Sequence, residues 1–255
     1  MAEAVRRTVL VTGGGRGIGR SSVLAFAHAG FDVAVNYSRS EDAARAVAEE
    51  AEQAGAKAVL IRADVADEAA VRAMADTVET HFGRLDVLVN NAGTTTDTPP
   101  SDLDALSMDD WDRIFAVNVR GTFQVTRACV PLLRRSAPAA VVNLASVVGV
   151  RPGPQPFPYA ASKAAIVNLT RTLAGALGPE IRVNAVAPGW MEGEWMEHAL
   201  GDNYESLMAR RAKRTPLRRC VTADDVAATI LGLATSNPFV NGETVVIDGG
   251  YTATT

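Results

Sequence analysis

Tyr159 and Lys163 form a pair that could carry out acid–base chemistry. Their Tyr-x-x-x-Lys spacing falls at the start of a predicted helix, so both side chains lie one turn apart on the same face. A phenol ionises at about pH 10, and a neighbouring ammonium lowers that pKa because it stabilises the phenolate. The pair therefore predicts a general acid that can work near neutral pH. In isolation, however, the same spacing arises by chance in many helices.

A glycine-rich segment with the sequence TGGGRGIG, residues 12–19, forms a second candidate site. It lies between a predicted buried strand and a predicted helix, where backbone N–H groups and the helix dipole attract a pyrophosphate. Glycine lets the backbone approach that group closely, which predicts contacts from Gly13, Gly17, Ile18 and Gly19. A tight strand-to-helix turn is the structural alternative, but such a turn needs fewer glycines.

A P-loop is the other alternative for this segment, because Gly14 and Gly19 have the spacing of that motif. The P-loop requires a lysine directly after its last glycine, since the ammonium reaches the terminal phosphates of the nucleotide. That position is Arg20, so the sequence favours a dinucleotide site over a P-loop.

Alternating strands and helices must position these residues. Short apolar runs alternate with longer stretches of helical period, a pattern that predicts βαβ units and a parallel sheet. The predicted strands are 8–12, 32–37, 58–62, 86–90, 140–144, 181–185 and 244–247. The predicted helices cover about 17–29, 41–54, 67–82, 109–135, 159–178 and 224–234. The predicted fold class is α/β, a doubly wound Rossmann fold with a parallel sheet of about seven strands.

Two segments between these elements are predicted to be less regular. Residues 94–106 contain Pro99 and Pro100 among several Thr and Asp residues and form a predicted loop. Residues 188–215 are predicted to be irregular or partly helical. No repeat, low-complexity tract or linker divides the sequence, so we expect a single domain over residues 1–255.

Composition excludes several function classes. The net charge of −4 gives no electrostatic basis for binding nucleic acid or an anionic membrane. Only two cysteines occur, Cys129 and Cys220, without metal-ligand spacing, so neither a disulfide framework nor a zinc site is expected. The first predicted strand begins at Thr8, which leaves no room for a signal peptide. We therefore expect a cytoplasmic protein.

The glycine spacing T-G-x-x-x-G-x-G, followed by Asn90-Asn-Ala-Gly93 after the fourth predicted strand, resembles the short-chain dehydrogenase/reductase family. The resemblance extends from about residue 7 to Gly250. It implies that a nicotinamide dinucleotide is bound by the glycine-rich segment and by further contacts in three places. These are Asn91, Ala92 and Gly93 after the fourth strand, Asp64 and Val65 beside the adenine, and Pro188 and Gly189 beside the nicotinamide.

The same resemblance implies a catalytic set. Ser146, in the segment Val142-Asn-Leu-Ala-Ser146, matches the family serine that positions the substrate carbonyl. Tyr159 then acts as the acid, and Lys163 also reaches the ribose hydroxyls of the nicotinamide. Asn118 matches the family asparagine that holds a water in the proton relay, and an inward asparagine on an apolar helix needs such a reason. The implied reaction is direct hydride transfer to a carbonyl carbon without a metal.

The residues after the second predicted strand predict NADP(H) as the cofactor. A carboxylate there would bind the ribose hydroxyls of NAD and repel a 2′-phosphate, but the position is occupied by Tyr37. Arg39 could pair with the phosphate and Ser38 could donate a hydrogen bond to it. Arg16, inside the glycine-rich segment, is a second candidate cation. The alternative is that both arginines are solvated surface charges.

Within the family, the sequence most resembles the β-ketoacyl-[acyl-carrier-protein] reductases, through Asn36-Tyr37, Asp110-Trp-Asp112 and Val240-Asn-Gly-Glu-Thr244. The implied substrate is a 3-oxoacyl thioester, with an acyl carrier protein as a possible partner and a homotetramer as the assembly. Gly175 and Gly193 depart from that subfamily, which has an arginine and a threonine there. A general NAD(P)-dependent alcohol, sugar or steroid dehydrogenase is therefore an alternative, and a non-catalytic cofactor-binding protein is a more remote one.

The segment 188–215 falls where the family has its substrate lid. Two Trp and two Met residues in Trp190-Met-Glu-Gly-Glu-Trp-Met196 could form an apolar roof over the ketone, or could pack elsewhere. Arg210-Arg-Ala-Lys-Arg214 could attract an anionic carrier, although a solvated helix face is the simpler interpretation.

Overall fold

Seven parallel strands form one sheet in the order β3-β2-β1-β4-β5-β6-β7 in the computed structural model, which describes residues 6–98 and 101–254. The strands are β1 (Thr8–Val11), β2 (Asp32–Tyr37), β3 (Ala58–Arg62), β4 (Val87–Asn90), β5 (Ala139–Leu144), β6 (Ile181–Pro188) and β7 (Thr244–Ile247). The strand order reverses on either side of β1, as in a doubly wound Rossmann fold. The predicted fold class is confirmed. Pro99 and Pro100, in the predicted loop 94–106, lie outside the described residues.

The helices connect successive strands and cover both faces of the sheet. They are α1 (Gly17–His28), α2 (Glu41–Gln53), α3 (Glu68–Phe82), α4 (Met108–Phe115), α5 (Thr122–Arg135), α6 (Phe157–Leu177), α7 (Glu194–Leu200), α8 (Tyr204–Arg214), α9 (Ala223–Thr235) and α10 (Tyr251–Thr254). No described helix is long and apolar enough to cross a membrane.

The core has two layers because neighbouring strand residues point to opposite faces of the sheet. Val9 and Val11 pack with residues of α1, α2 and α9 on one face. Leu10 and Leu88 pack with residues of α3, α5 and α6 on the other. Strands covered on both faces need continuous apolar runs, which is why the short runs in the sequence located them.

The structure differs from the sequence predictions in three places. The predicted helix 109–135 is divided by a π-helical segment, Ala116–Gly121. β6 continues to Pro188 rather than ending at residue 185, because its last residues pair with β7. The short C-terminal helix α10 was not predicted. Residues 188–215 hold two helices, α7 and α8, joined by irregular stretches, in agreement with the prediction of a partly helical segment.

Candidate active site

The turns after β1 and β4 are joined by hydrogen bonds through Thr12 and Asn91. The Thr12 hydroxyl accepts from the backbone N–H groups of Asn91 (2.9 Å) and Ala92 (3.0 Å). In return, Asn91 Nδ2 donates to the carbonyls of Thr12 (2.9 Å) and Gly13 (3.0 Å). The glycine-rich segment and the Asn90-Asn-Ala-Gly93 segment, predicted separately, therefore form one rigid unit at the carboxyl edge of the sheet.

Glycine is required at specific points of this unit. Gly13 and Gly17 adopt φ values of +63° and +49°, a region that side chains disfavour. A Cβ on Gly19 would lie 2.7 Å from Asn91 Nδ2 and would overlap the carbonyl of Gly13. Gly17, Ile18 and Gly19 form the first turn of α1, and its N-cap residue Arg16 makes no capping side-chain bond. The backbone thus presents an N-terminal helix turn that fits a dinucleotide pyrophosphate.

Asn36, which the sequence analysis treated only as a subfamily marker, helps to hold this turn. Its Oδ1 accepts from the Gly13 N–H (3.2 Å) and its carbonyl accepts from the Gly14 N–H (2.8 Å). Its Nδ2 donates to the carbonyl of Ala63 (3.0 Å), at the end of β3. Asn36 is only 1% exposed. A polar residue inside an otherwise apolar strand was the sequence signal that could have identified it.

The residues predicted to hold the 2′-phosphate are divided between buried and exposed positions. Tyr37 is buried, and its phenol bonds to the Glu41 carboxylate; burial and this acid raise the Tyr37 pKa. Ser38 and Arg39 are both exposed directly after β2. Arg16 is also exposed, and it lies 3.5 Å from the Glu194 carboxylate. An exposed ion pair of this kind contributes little energy, so a phosphate can displace it.

The predicted adenine contacts lie at the end of β3. Asp64 is exposed, and its Oδ1 accepts from the Ala66 N–H at 2.9 Å. Val65 is buried, and its carbonyl accepts from Gln124 Nε2 on α5 at 2.9 Å. The latter bond fixes the position of this loop against α5.

Ser146 and Tyr159 lie side by side, as the sequence predicts. Ser146 follows β5 in extended backbone, and Tyr159 lies in the first turn of α6. Their hydroxyl groups are hydrogen-bonded. Burial raises the pKa of Tyr159, and the Ser146 bond opposes part of that rise. The resulting phenol stays protonated at neutral pH and is suited to donate a proton.

Lys163 does not act on the Tyr159 hydroxyl as the sequence analysis expected. Its Nζ donates to the Leu144 carbonyl (2.6 Å) and lies 5.6 Å from the centre of the Tyr159 ring. The Tyr159 pKa is raised by burial in this arrangement, so the expected lowering of that pKa by Lys163 is not seen. Lys163 itself is only 5% exposed, and burial lowers its pKa from 10.5 to about 8.

We predict that Lys163→Met stabilises the fold at pH 7, because burying the ammonium costs up to about 3 kcal/mol. Loss of the Leu144 hydrogen bond offsets part of that gain, leaving about 1 kcal/mol or more. Between pH 8 and 10.5 the unfolded wild type binds more protons than the folded protein, so wild-type stability rises relative to the variant. Urea unfolding of both proteins from pH 7 to 10.5 measures this, and a constant difference would contradict the buried-ammonium argument.

Asn118 lies in the π-helical segment and is 2% exposed. Its Oδ1 accepts from the Thr94 N–H (2.8 Å), and its Nδ2 donates to the Thr94 carbonyl and the Ser162 hydroxyl (both 3.0 Å). Its side chain is therefore occupied by protein groups and positions the loop after Gly93. A role in holding a relay water stays a prediction.

A ladder of buried amides and hydroxyls fixes α5 and α6 against the sheet behind this site. Asn90 Nδ2 donates to Asn143 Oδ1 (2.9 Å) and to the Thr126 hydroxyl on α5 (3.0 Å). Asn143 Nδ2 donates to the Thr170 hydroxyl on α6 (2.9 Å). Because unpaired amides are costly to bury, these bonds specify how the helix that carries Tyr159 sits on β5.

The segment after β6 divides the four residues of the predicted apolar roof. Pro188 is the last residue of β6, and the N–H of Gly189, which follows it, is bonded to the carbonyl of Ile247 on β7 (2.9 Å). Trp195, on α7, has its ring centre 6.5 Å from that of Tyr159. Trp190 instead lies under the Arg211 guanidinium, whose central carbon is 3.4 Å from the centre of the Trp190 ring. Met191 packs against the core, so Trp195 is the roof residue that adjoins Tyr159.

Comparison with known proteins agrees with this geometry. Residues 13–252 match the family described as Enoyl-(Acyl carrier protein) reductase. A ketoacyl reductase of granaticin polyketide synthase from Streptomyces violaceoruber is 42% identical over 242 residues, 94% of each chain. A 3-oxoacyl-[acyl-carrier-protein] reductase, FabG, from Staphylococcus epidermidis is 38% identical over 248 residues, 96% of this chain and 99% of the relative.

The fold comparison gives the same family. A short-chain dehydrogenase/reductase structure from Burkholderia xenovorans has a TM-score of 0.91 and 33% identity, covering 98% of this chain and 100% of the other. The chain belongs to the short-chain dehydrogenase/reductase family. A gluconate 5-dehydrogenase from Burkholderia cenocepacia, solved with NADP and tartrate, has a TM-score of 0.88 and 35% identity, covering 98% and 96%. Our protein is thus an oxidoreductase of a family that uses nicotinamide dinucleotides, and the glycine cradle at Gly13 and Gly19 fits that cofactor.

Proposed function

We propose that this short-chain dehydrogenase/reductase reduces a ketone to a secondary alcohol with NADPH, and that the ketone is a 3-oxoacyl thioester. The hydrogen-bonded pair of Ser146 and Tyr159, next to buried Lys163 and the glycine cradle, carries this proposal. We further propose that residues 1–255 act as one domain, with 188–215 as a substrate lid.

The side chains divide the chemistry between them. NADPH supplies the hydride when it is bound. The Ser146 hydroxyl donates to the substrate oxygen and orients the carbonyl, so that negative charge developing there is stabilised. Tyr159 Oη gives its proton to the same oxygen as the alcohol forms. The Lys163 ammonium would donate hydrogen bonds to the ribose hydroxyls of the cofactor.

The preference for NADPH rests on charge. Arg39 and Ser38 are exposed immediately after β2, and no carboxylate occupies position 37 to repel a phosphate. Arg16 lies at the start of α1 with only an exposed glutamate as a partner. Two guanidinium groups beside one phosphate dianion would favour NADPH over NADH.

The thioester substrate rests on the curated relatives, whose names describe ketoacyl and 3-oxoacyl-carrier reductases. A general carbonyl reductase is the second candidate, and one observation favours it. The half-exposed Trp195 ring beside Tyr159 offers an apolar surface that would suit a bulky or cyclic ketone.

NADPH oxidation with acetoacetyl thioesters and a panel of simple ketones tests the proposal, repeated with NADH and with Arg39→Ala. We expect kcat/KM to be highest for the thioester with NADPH. Removing one charge-assisted contact costs about 1.5–3 kcal/mol, so Arg39→Ala should lower kcat/KM for NADPH by about 10-fold or more and leave NADH unchanged.

Each alternative has its own result in this experiment. Activity on ketones without thioester reduction would identify a general carbonyl reductase. A preference for NADH, or equal loss with both cofactors in Arg39→Ala, would contradict the role assigned to Arg39. No turnover with any substrate would favour a cofactor-binding protein without this activity.

We also propose that the protein is a cytoplasmic homotetramer. A surface groove of about 860 Å³ lies between α4, α5 and α6, and its walls include Phe115, Val119, Phe123 and Leu169. Phe123 is 41% exposed in the single chain. Packing of these helices against a second copy would cover that apolar surface.

A further inference from the structure

Residues 210–219, the last turn of α8 and the loop that follows it, form the most basic stretch of the chain. They contain six cations, Arg210, Arg211, Lys213, Arg214, Arg218 and Arg219, and no carboxylate. The protein as a whole has a net charge of −4. A positive patch on an acidic protein attracts an acidic partner, while the negative charge on the rest of the surface repels that partner.

Four of these cations, which we name the α8 basic cluster, expose their side chains to solvent. They are Arg210, Lys213, Arg214 and Arg218, all exposed, and none forms an ion pair within residues 6–98 and 101–254. Of the other two, Arg219 pairs with Asp225, and Arg211 covers the Trp190 ring. Within the cluster, Arg218 donates to the Lys213 carbonyl (2.7 Å), and the Arg214 guanidinium lies 6.0 Å from the centre of the Tyr251 ring. Most arginines that lie on helix surfaces elsewhere have acidic partners, for example Arg20 with Glu50.

The α8 basic cluster lies at the edge of the sheet where the active site is. Arg211 attaches α8 to Trp190, just after β6, and the Tyr204 hydroxyl at the start of α8 accepts from the Gly193 N–H (3.3 Å). After α8, the chain packs on the loop that follows β7: a Cβ on Gly249 would lie 2.7 Å from Thr215 Cγ2. Cofactor and substrate in such sheets bind at the carboxyl ends of the strands.

An exposed apolar residue lies next in the chain to these cations. Leu217 is 69% exposed and falls between Arg214 and Arg218. An apolar residue bordered by charged side chains is the usual arrangement of a small protein–protein contact, with an anchor at the centre and a polar rim. The neighbouring lid exposes Glu192, Glu194 and Glu197, so an acidic partner would be attracted to α8 rather than to the lid.

We propose that the α8 basic cluster with Leu217 is the docking surface for the acidic protein that carries the acyl thioester. This inference rests on the proposed function, since only a thioester substrate brings a carrier. Docking at α8 would place the thioester arm beside Trp195 and the active site.

The test compares Arg210→Glu/Lys213→Glu with a matched control, Lys57→Glu/Arg134→Glu. Both change the charge equally, and both use exposed residues without ion pairs in the described part of the chain. Three acetoacetyl substrates are used with NADPH: the acyl carrier protein thioester, the coenzyme A thioester and the small N-acetylcysteamine thioester. Light scattering measures the oligomeric state of each variant.

We expect the α8 double variant to raise KM for the carrier-bound substrate by about 10-fold or more, and to flatten its dependence on salt. The KM for the N-acetylcysteamine thioester should change by less than about twofold, because cluster residues make no contact with the reacting group. In the control variant, the KM for each of the three substrates should also change by less than about twofold.

Several outcomes would overturn the docking site. The KM for the carrier-bound substrate could rise equally in the control variant, or the KM for the N-acetylcysteamine thioester could rise equally in the α8 double variant. An equal rise in KM for the coenzyme A thioester would indicate phosphate recognition, and a change in oligomeric state would indicate a subunit interface. If the wild-type enzyme reduced the small thioester with the same kcat/KM as the carrier-bound one, the docking proposal would be contradicted and the proposed function would stand. Failure to reduce any thioester would contradict the proposed function itself.

Discussion

Tyr159→Phe is expected to lower kcat for ketone reduction by about 1,000-fold, because the substrate oxygen loses its proton donor. The phenyl ring preserves the packing against Trp195 and Lys163, so the fold and the cofactor site should be unaffected. Only the hydroxyl and its hydrogen bond with Ser146 are removed. Single-turnover reduction with saturating NADPH measures the chemical step directly.

Two controls separate loss of chemistry from loss of structure in Tyr159→Phe. The dissociation constant for NADPH, measured by fluorescence titration, should change by less than about threefold, since the hydroxyl contacts the substrate oxygen rather than the pyrophosphate. The unfolding midpoint in urea should stay near that of the wild type. A variant that retains wild-type turnover across the substrate panel would show that Tyr159 is not the proton donor.

The sequence was sufficient to predict the parts of the site that follow strands. A parallel sheet brings the carboxyl ends of its strands to one edge, so Gly13, Asn91 and Ser146 converge once each strand has been located. Apolar runs located all seven strands because this sheet is covered on both faces. Tyr159 joins this group through α6, which begins at Phe157 after the loop that follows β5.

Features that depend on burial and on contacts distant in sequence could not be predicted in the same way. The Tyr159 pKa is raised by burial, and the Lys163 ammonium bonds to the Leu144 carbonyl rather than to the phenol. The two lid tryptophans have the same residue type and neighbouring positions, yet Trp190 meets Arg211 while Trp195 meets Tyr159. The spacing of residues in the sequence shows neither how deeply a side chain is buried nor which distant residue it contacts.

The π-helical segment shows how one buried residue can alter a helix that periodicity predicts to be continuous. Asn118 lies inside this segment and bonds to Thr94 and Ser162 at the same time. These bonds connect the loop after β4 to α6, the helix that carries Tyr159. π-helical segments are frequent at functional sites because the extra residue redirects side chains locally.

Gly19→Ala is expected to damage the cofactor site more than any other single-methyl change in the described chain. The added Cβ would lie 2.7 Å from Asn91 Nδ2 and would overlap the Gly13 carbonyl, and both are held by the bonds that join the turns after β1 and β4. Neither can move without breaking that unit. We expect unfolding free energy to fall by about 2–4 kcal/mol and NADPH affinity to fall at least about 10-fold.

Gly175→Ala provides the matched comparison for Gly19→Ala. Gly175 is exposed near the end of α6, and a Cβ there would meet nothing within 4 Å. Alanine should stabilise that helix by up to about 1 kcal/mol and leave NADPH affinity unchanged. Urea unfolding and NADPH titration of both variants test the contrast. If Gly19→Ala bound NADPH as tightly as Gly175→Ala, the close approach of the two turns would not be what forms the cofactor site, and the structural basis for placing the dinucleotide there would be lost.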